Sequence, residues 1–385
     1  MIDKSALFSL GFRPFFLLAS FLAFVALTLW ALVFALGLQL SAFDYYPMII
    51  WHAHEMIFAY AMAVIAGFLL TAIKNWTKIQ TVNGSVLLVL SLSWILARIA
   101  PFLLDTAWLI ALIDMLFLPL LAYFIAIPLL KAANRRNYFM IVLVLVFALL
   151  NLCIHLYLLG FIQLSVVLVY QSAFYLIIAL IIVMAGRVFP MFSQNGVEFR
   201  YQVVNYAIIE KLILPSYFLF ALALLFVSFE PLVVAASIFA LIVHGIRLKG
   251  WYNKQIWSVP LVWVLHVGYG FLLLGFGLSA VGVFYPFVSN LALHAFSVGT
   301  LGIITIGMMA RVSVGHTGRN LKFPPKILKI VFIFMVIATL IRVFLPIIAN
   351  NSNYAIVLSA GFWVVAFLLF FINYLPIWLQ PRVDL

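Results

Sequence analysis

The sequence predicts an all-α polytopic membrane protein, a bundle of about twelve transmembrane helices with both termini in the cytoplasm. Three observations carry that prediction. The 385 residues are 68% hydrophobic and 8% charged, and their mean hydropathy is +1.29, far from the balance of a soluble domain. The apolar runs are long and lack the alternation of a barrel strand, so in lipid their backbone is satisfied as helix. The Lys and Arg residues sit in alternate connections, as membrane topology requires.

A hydrocarbon core of roughly 30 Å needs about 20 apolar residues per helix, and this chain has room for about twelve such spans. No cleavable signal pattern precedes the first, which follows Phe12-Arg13-Pro14 and runs from Phe15 to Leu36. Polar punctuation then separates Met48 to Ile73, Ser85 to Leu104, Trp108 to Leu130, Tyr138 to Gly160 and Leu164 to Gly186. The second half continues through Tyr206 to Val227, Pro231 to Ile246, Trp257 to Val283, Asn290 to Ala310, Ile327 to Ile348 and Tyr354 to Trp378. No linker or fixed-period repeat interrupts the series, so residues 1–385 read as one transmembrane helical domain.

One set of connections carries Lys4, Arg13, Lys74, Lys78, Lys131, Arg135, Arg136, Arg187, Arg200, Arg247, Lys249, Lys254, the basic residues between Arg311 and Lys329, and Arg382. The other set carries Asp44, Asp105 and Glu230 and no Lys or Arg. The first set is therefore cytoplasmic, which places Asn134 and Gly250 inside and Asp44 and Asn351 outside. The net charge of +12 is spread over these loops and not gathered in a stripe, which argues against a nucleic-acid partner. Cys153 stands alone in an apolar run, excluding a disulfide pair or a Cys-based metal motif.

Ionisable groups inside spans are costly and mark function. An outer layer holds His52, His54 and Glu55 in the first turns of the second span, His294 at the matching depth of the tenth, His155 in the fifth, and Arg98 and Arg342 in the third and eleventh. Two helices each offering one His at equal depth can clamp a haem, and guanidinium groups suit its carboxylates. At about 100° per residue, His52 and His54 point about 200° apart and should serve different sites. His52 shares a face with Glu55, Met56, Ala59, Ala63 and Gly67, a small-residue strip with room for a macrocycle or a close helix; His54 faces Phe58, Ala61, Ile65 and Phe68. His52 and His294 are thus preferred as the haem pair, with Arg98 and Arg342 on its carboxylates, Glu55 orienting His52, and His54 left for a second metal. Against this stands the plainer reading, in which interfacial histidines hydrogen-bond at the headgroups and Gly and Ala strips are packing surfaces.

An inner layer contains His266, a candidate ligand or proton carrier deep in the ninth span, and His244, read as a surface residue. The segment Arg311 to Arg319, with His316, reads as a basic loop able to hold an anion or lipid headgroup or to act as a gate. Glu210 and Lys211 read as structural, and Asp114 as a proton relay with Asp105.

The segments Gly11-Phe-Arg-Pro-Phe-Phe16, Trp51-His-Ala-His-Glu-Met56, Gly67-Phe-Leu-Leu-Thr71, Asn75-Trp76, Gly186-Arg-Val-Phe-Pro190, His266-Val-Gly-Tyr269, His294-Ala-Phe-Ser-Val-Gly-Thr300 and Arg311-Val-Ser-Val-Gly-His-Thr-Gly-Arg319 resemble the NnrS family over nearly the whole chain. The resemblance implies a bacterial inner-membrane protein carrying haem, of b type, and copper, associated with denitrification and resistance to nitric oxide. It marks His52, His54, His266, His294 and His316, with Glu55 and Arg311, and does not mark His155 or His244. A remoter, topological likeness to haem-copper oxidases lacks their adjacent His-His pair in the seventh span and the copper motif of the sixth, where the nearest polar residue is Gln171.

The leading expectation is a haem- and copper-binding inner-membrane protein that binds or detoxifies nitric oxide. As an enzyme it would be an oxidoreductase drawing electrons from a quinol. The alternative is a transporter of a metal, haem or small anion, against which the lack of visible half-to-half symmetry counts.

Overall fold

Twelve helices among the described residues of the computed structural model are long and apolar enough to cross a membrane. The structure describes residues 5–198, 201–349 and 352–384. In chain order the helices are α1 Phe12–Leu36, α2 Met48–Thr77, α3 Gly84–Leu103, α4 Ala107–Lys131, α5 Arg135–Leu158, α6 Val166–Gly196, α7 Ala207–Phe226, α8 Glu230–Trp251, α9 Pro260–Gly282, α10 Pro286–His316, α11 Leu328–Ile348 and α12 Asn353–Leu379. Lys4, Arg200 and Asn351, used above for orientation, lie outside the described residues.

All twelve expected spans are present, and three run further than their apolar runs indicated. The sixth continues through Pro190 to Gly196, the eighth to Trp251 and the tenth to His316. Arg311 and His316 consequently lie on helix, not in a loop, and only Arg319 of the expected basic loop lies beyond α10. Likewise His244 is a buried residue of α8 at 0% exposure, correcting its reading as a surface group. Helices outlast their apolar stretches here because polar side chains on the added turns find partners inside the protein.

Two spans depart from regular helix. In α2 the α-helical turn Met48–His54 gives way to a π-helical stretch, Glu55–Ala61, before α-helix resumes at Met62. In α10 the same change follows His294, with π-helix over Ala295–Gly302. π-Helical turns widen the backbone ring and are frequent at functional sites. These are also the most enclosed spans, with 89% and 78% of their most apolar stretches buried, against 61% or less elsewhere.

The residues group into two compact units. The first holds α1 to α5, the start of α6, the turn His316–Gly318 and the chain from Phe371 onward. Within it α1 lies against α2 so closely that a Cβ on Gly67 would meet the Phe16 ring and the Phe12 backbone. Phe12 N–H donates to Thr71 Oγ1 at 3.2 Å across the same contact. The small-residue strip of α2 is therefore occupied at Gly67 by a close helix. Buried Arg13 donates from Nη1 to the carbonyls of Trp378, at 2.8 Å, and Ile377, at 3.3 Å, and so caps the end of α12.

The second unit holds Phe174–Gly315 and Arg319–Phe370. In it Gly299 and Gly302 of α10 admit Phe271 and Trp363, so these glycines too are helix contacts. Arg247 makes a two-pronged pair with Glu210, at 2.9 and 2.8 Å, and also donates to the Ile182 carbonyl. The Tyr269 hydroxyl stands 2.8 Å from His244 Nδ1. Glu210, read as structural from its place near the span end, is paired with Arg247.

Candidate functional site

Glu55 begins the π-helical stretch of α2, and beyond it the wider turn shifts the faces from those of a regular helix. Glu55 lies beside His54, whose Nδ1 is 3.5 Å from Glu55 Oε1. Arg98 of α3 donates from Nη1 to Glu55 Oε1 at 2.9 Å and from Nη2 to Asp114 Oδ1 of α4, joining three helices through one guanidinium. Both carboxylates are buried, at 4% exposure each. A buried carboxylate requires a counter-charge, and Arg98 supplies it to both.

On its other oxygen, Asp114 meets α5. Asn151 Nδ2 donates to Asp114 Oδ2 at 2.7 Å, and His155 Nε2 stands 2.9 Å from the same atom. His54 Nε2 is 3.1 Å from Asn151 Oδ1 and 3.4 Å from Asp114 Oδ2. His54, Asp114 and His155, at 0%, 4% and 1% exposure, thus bring one ligand atom each to within 4.8 Å of one another. Asp114 is bound to Arg98, Asn151 and His155, while Asp105, its expected relay partner, is exposed.

The residues before α2 close this group. The Tyr45 hydroxyl lies 2.8 Å from His155 Nδ1, and the Tyr46 ring lies over His54 with centroids 4.7 Å apart. Burial raises the pKa of both phenols, so they stay protonated. The Tyr45 hydroxyl can accept from His155 Nδ1–H, and in that tautomer Nε2, on the Asp114 side, carries the lone pair a metal requires. Phe58, the next neighbour of His54 on α2, stacks on the imidazole at 5.4 Å and meets Tyr170 of α6 at 6.1 Å.

The donor set suits a metal ion. Two atoms bound to one ion at about 2.1 Å stand about 3.0 to 3.4 Å apart in octahedral or tetrahedral geometry, which matches the 2.9 and 3.4 Å separations of Asp114 Oδ2 from His155 and His54. Two imidazoles and a carboxylate form a set used by iron, copper and zinc. His54 Nδ1 is buried without a hydrogen bond, a polar atom whose environment is incomplete in the protein alone.

The other expected site residues have surroundings of their own within their units. His52 stacks on Trp30 of α1, with centroids 4.1 Å apart and planes 13° from parallel. In the second unit, His294 Nδ1 donates to the Asn290 carbonyl at 2.6 Å, which fixes the tautomer that carries its lone pair on Nε2. Val343 of α11 packs with Leu291 and Ala295 of α10, so Arg342 and His294 lie on helices that pack together. His266 Nδ1 donates to the Val262 carbonyl at 3.1 Å, and its Nε2 has only long contacts, to Trp251 O at 3.4 Å and Ser193 Oγ at 3.5 Å. Arg311 sits 3.9 Å above the Phe192 ring. His316 meets Phe12 at 5.9 Å.

Sequence reasoning singled out His54 but missed that Asp114, His155 and Asn151 surround it. The usable signal was the pairing rule: Arg98, Asp114 and His155 are intramembrane ionisable residues at one depth, and such residues find each other.

The family model described as NnrS protein matches residues 6–382. No curated protein gave a match.

Proposed function

The chain belongs to the NnrS family, and from that premise we propose that it is a metal-binding protein of the bacterial inner membrane serving the response to nitric oxide. The observation that carries this reading is the buried His54, Asp114 and His155 group, whose ligand atoms lie within 4.8 Å of one another, with Asp114 Oδ2 at 2.9 and 3.4 Å from the two imidazoles. Copper is the metal the family resemblance implies, and this donor set accepts it. His155, which no recognised motif marks, is assigned here as a ligand beside His54.

Haem is proposed on His52 and His294, each considered in its own unit. The Asn290 carbonyl on His294 Nδ1 supports the second, because a ligating imidazole commonly donates its other N–H in this way. Arg342 is proposed to take a haem carboxylate. Arg98 is less suited to that task, since Glu55 and Asp114 already occupy it. When bound by two histidines, haem would supply a one-electron redox centre; the protein's part is to hold it and exclude water.

Metal analysis and a visible spectrum of the purified protein test the reading together. Copper at one ion per chain in the wild type, absent from folded His155→Ala whose haem spectrum is unchanged, is the expected result. Equal copper in the two proteins removes His155 from the site.

A further inference from the structure

Around the His54, Asp114 and His155 group, three buried polar atoms have no hydrogen-bond partner: His54 Nδ1, Arg98 Nε and the Tyr170 hydroxyl. Tyr170 meets the Phe58 ring at 6.1 Å, and Phe58 stacks on His54. Two of the three atoms, the Arg98 Nε–H and the Tyr170 O–H, are hydrogen-bond donors in their ordinary forms. Native proteins rarely leave such donors unfilled, and several in one place mark a missing acceptor.

The charges say what kind of acceptor. Glu55 and Asp114 contribute two negative charges and Arg98 one positive. A divalent ion brings the sum to +1, because +2, +1 and −2 add to that value. Three protein ligands leave at least one coordination position open. A net positive charge enclosed by Tyr46, Phe58 and Tyr170 is costly until an anion compensates it.

Resting on the metal reading above, we propose that the open position of this site takes a small monoanion, of the class that includes nitrite, azide and hydroxide, with Arg98 Nε–H and the Tyr170 hydroxyl donating to it. The two donors select for an anion able to bind the metal and accept hydrogen bonds at once. A neutral ligand would leave the charge uncompensated. Tyr170 is thereby a residue of the site although it lies on α6, away from every His-containing motif.

The test uses the full chain in detergent, loaded with Co²⁺, whose visible bands report coordination, and titrated with sodium azide. Azide should shift the bands of the wild type. In Tyr170→Phe the azide affinity should fall about tenfold, the effect of losing one hydrogen bond to a charged group, with Co²⁺ still bound. Arg98→Lys, which keeps the charge and removes the Nε–H donor, should weaken azide similarly. Bands that ignore azide in the wild type mean that water fills the position, and overturn the proposal while leaving the metal site standing. Equal azide affinity in wild type, Tyr170→Phe and Arg98→Lys also overturns it. If Co²⁺ fails to bind, or binds equally to His155→Ala, the metal reading falls and the anion proposal falls with it.

Discussion

Arg98 and Asp114 pair between α3 and α4, and the same guanidinium holds Glu55 of α2. Arg98→Ala would leave two buried carboxylates without a counter-charge, a loss of about 3–5 kcal/mol by analogy with broken buried pairs. Asp114→Asn keeps the side-chain shape and leaves Arg98 its pair with Glu55, so it should cost less. Thermal unfolding in the same detergent ranks the two, and an Arg98→Ala protein as stable as wild type would mean that water reaches these carboxylates.

His52→Ala and His294→Ala should each change the haem spectrum from low spin to high spin or abolish it, whereas His54→Ala should spare the haem and remove the copper. Spectra of folded, purified variants decide it. Low-spin haem surviving in His52→Ala but lost in His54→Ala exchanges the two assignments.

Glu55→Gln provides a sharper comparison, because Glu55 pairs with Arg98 and lies beside His54. It should lower copper occupancy and stability more than it perturbs the haem spectrum. A haem change larger than the copper change would tie Glu55 to His52, as the regular-helix phase suggested.

Gly186→Ala should destabilise the second unit, since a Cβ there would meet the Arg247 guanidinium that pairs with Glu210. Combining it with Arg247→Ala should cost less than the sum of the two single changes, as expected for groups in contact. Strict additivity in unfolding measurements would show that the guanidinium moves aside freely.

Reporter fusions check the orientation drawn from Lys131, Arg135 and Arg136. A fusion at Asn134 should read as cytoplasmic and one at Asp44 as external. The reverse pattern inverts the placement of both termini.

The span count was legible because twelve apolar stretches fix it almost without reference to tertiary structure, from Phe12–Leu36 to Asn353–Leu379. The extensions of α8 and α10 were not, because Arg247 and Arg311 look like loop charges until Glu210 and Phe192 are seen beside them. The faces of α2 beyond Glu55 were not legible, since a π-helical turn leaves no simple mark in sequence and a regular-helix projection fails past it. His54 was visible as a metal candidate. Its partners on α4 and α5 were hidden, as 60 or more positions separate residues that only folding brings together.

Arg13 on α1 reaches the carbonyls of Ile377 and Trp378 at the end of α12, 364 and 365 positions later in the chain. During synthesis this guanidinium enters the bilayer long before its acceptors exist. Until α12 is made, Arg13 must be served by lipid phosphates, water or an insertion factor, so the first unit cannot close around the ribosome-bound chain. A premature stop before α12 would therefore remove these carbonyl acceptors from a cation buried at the opposite terminus.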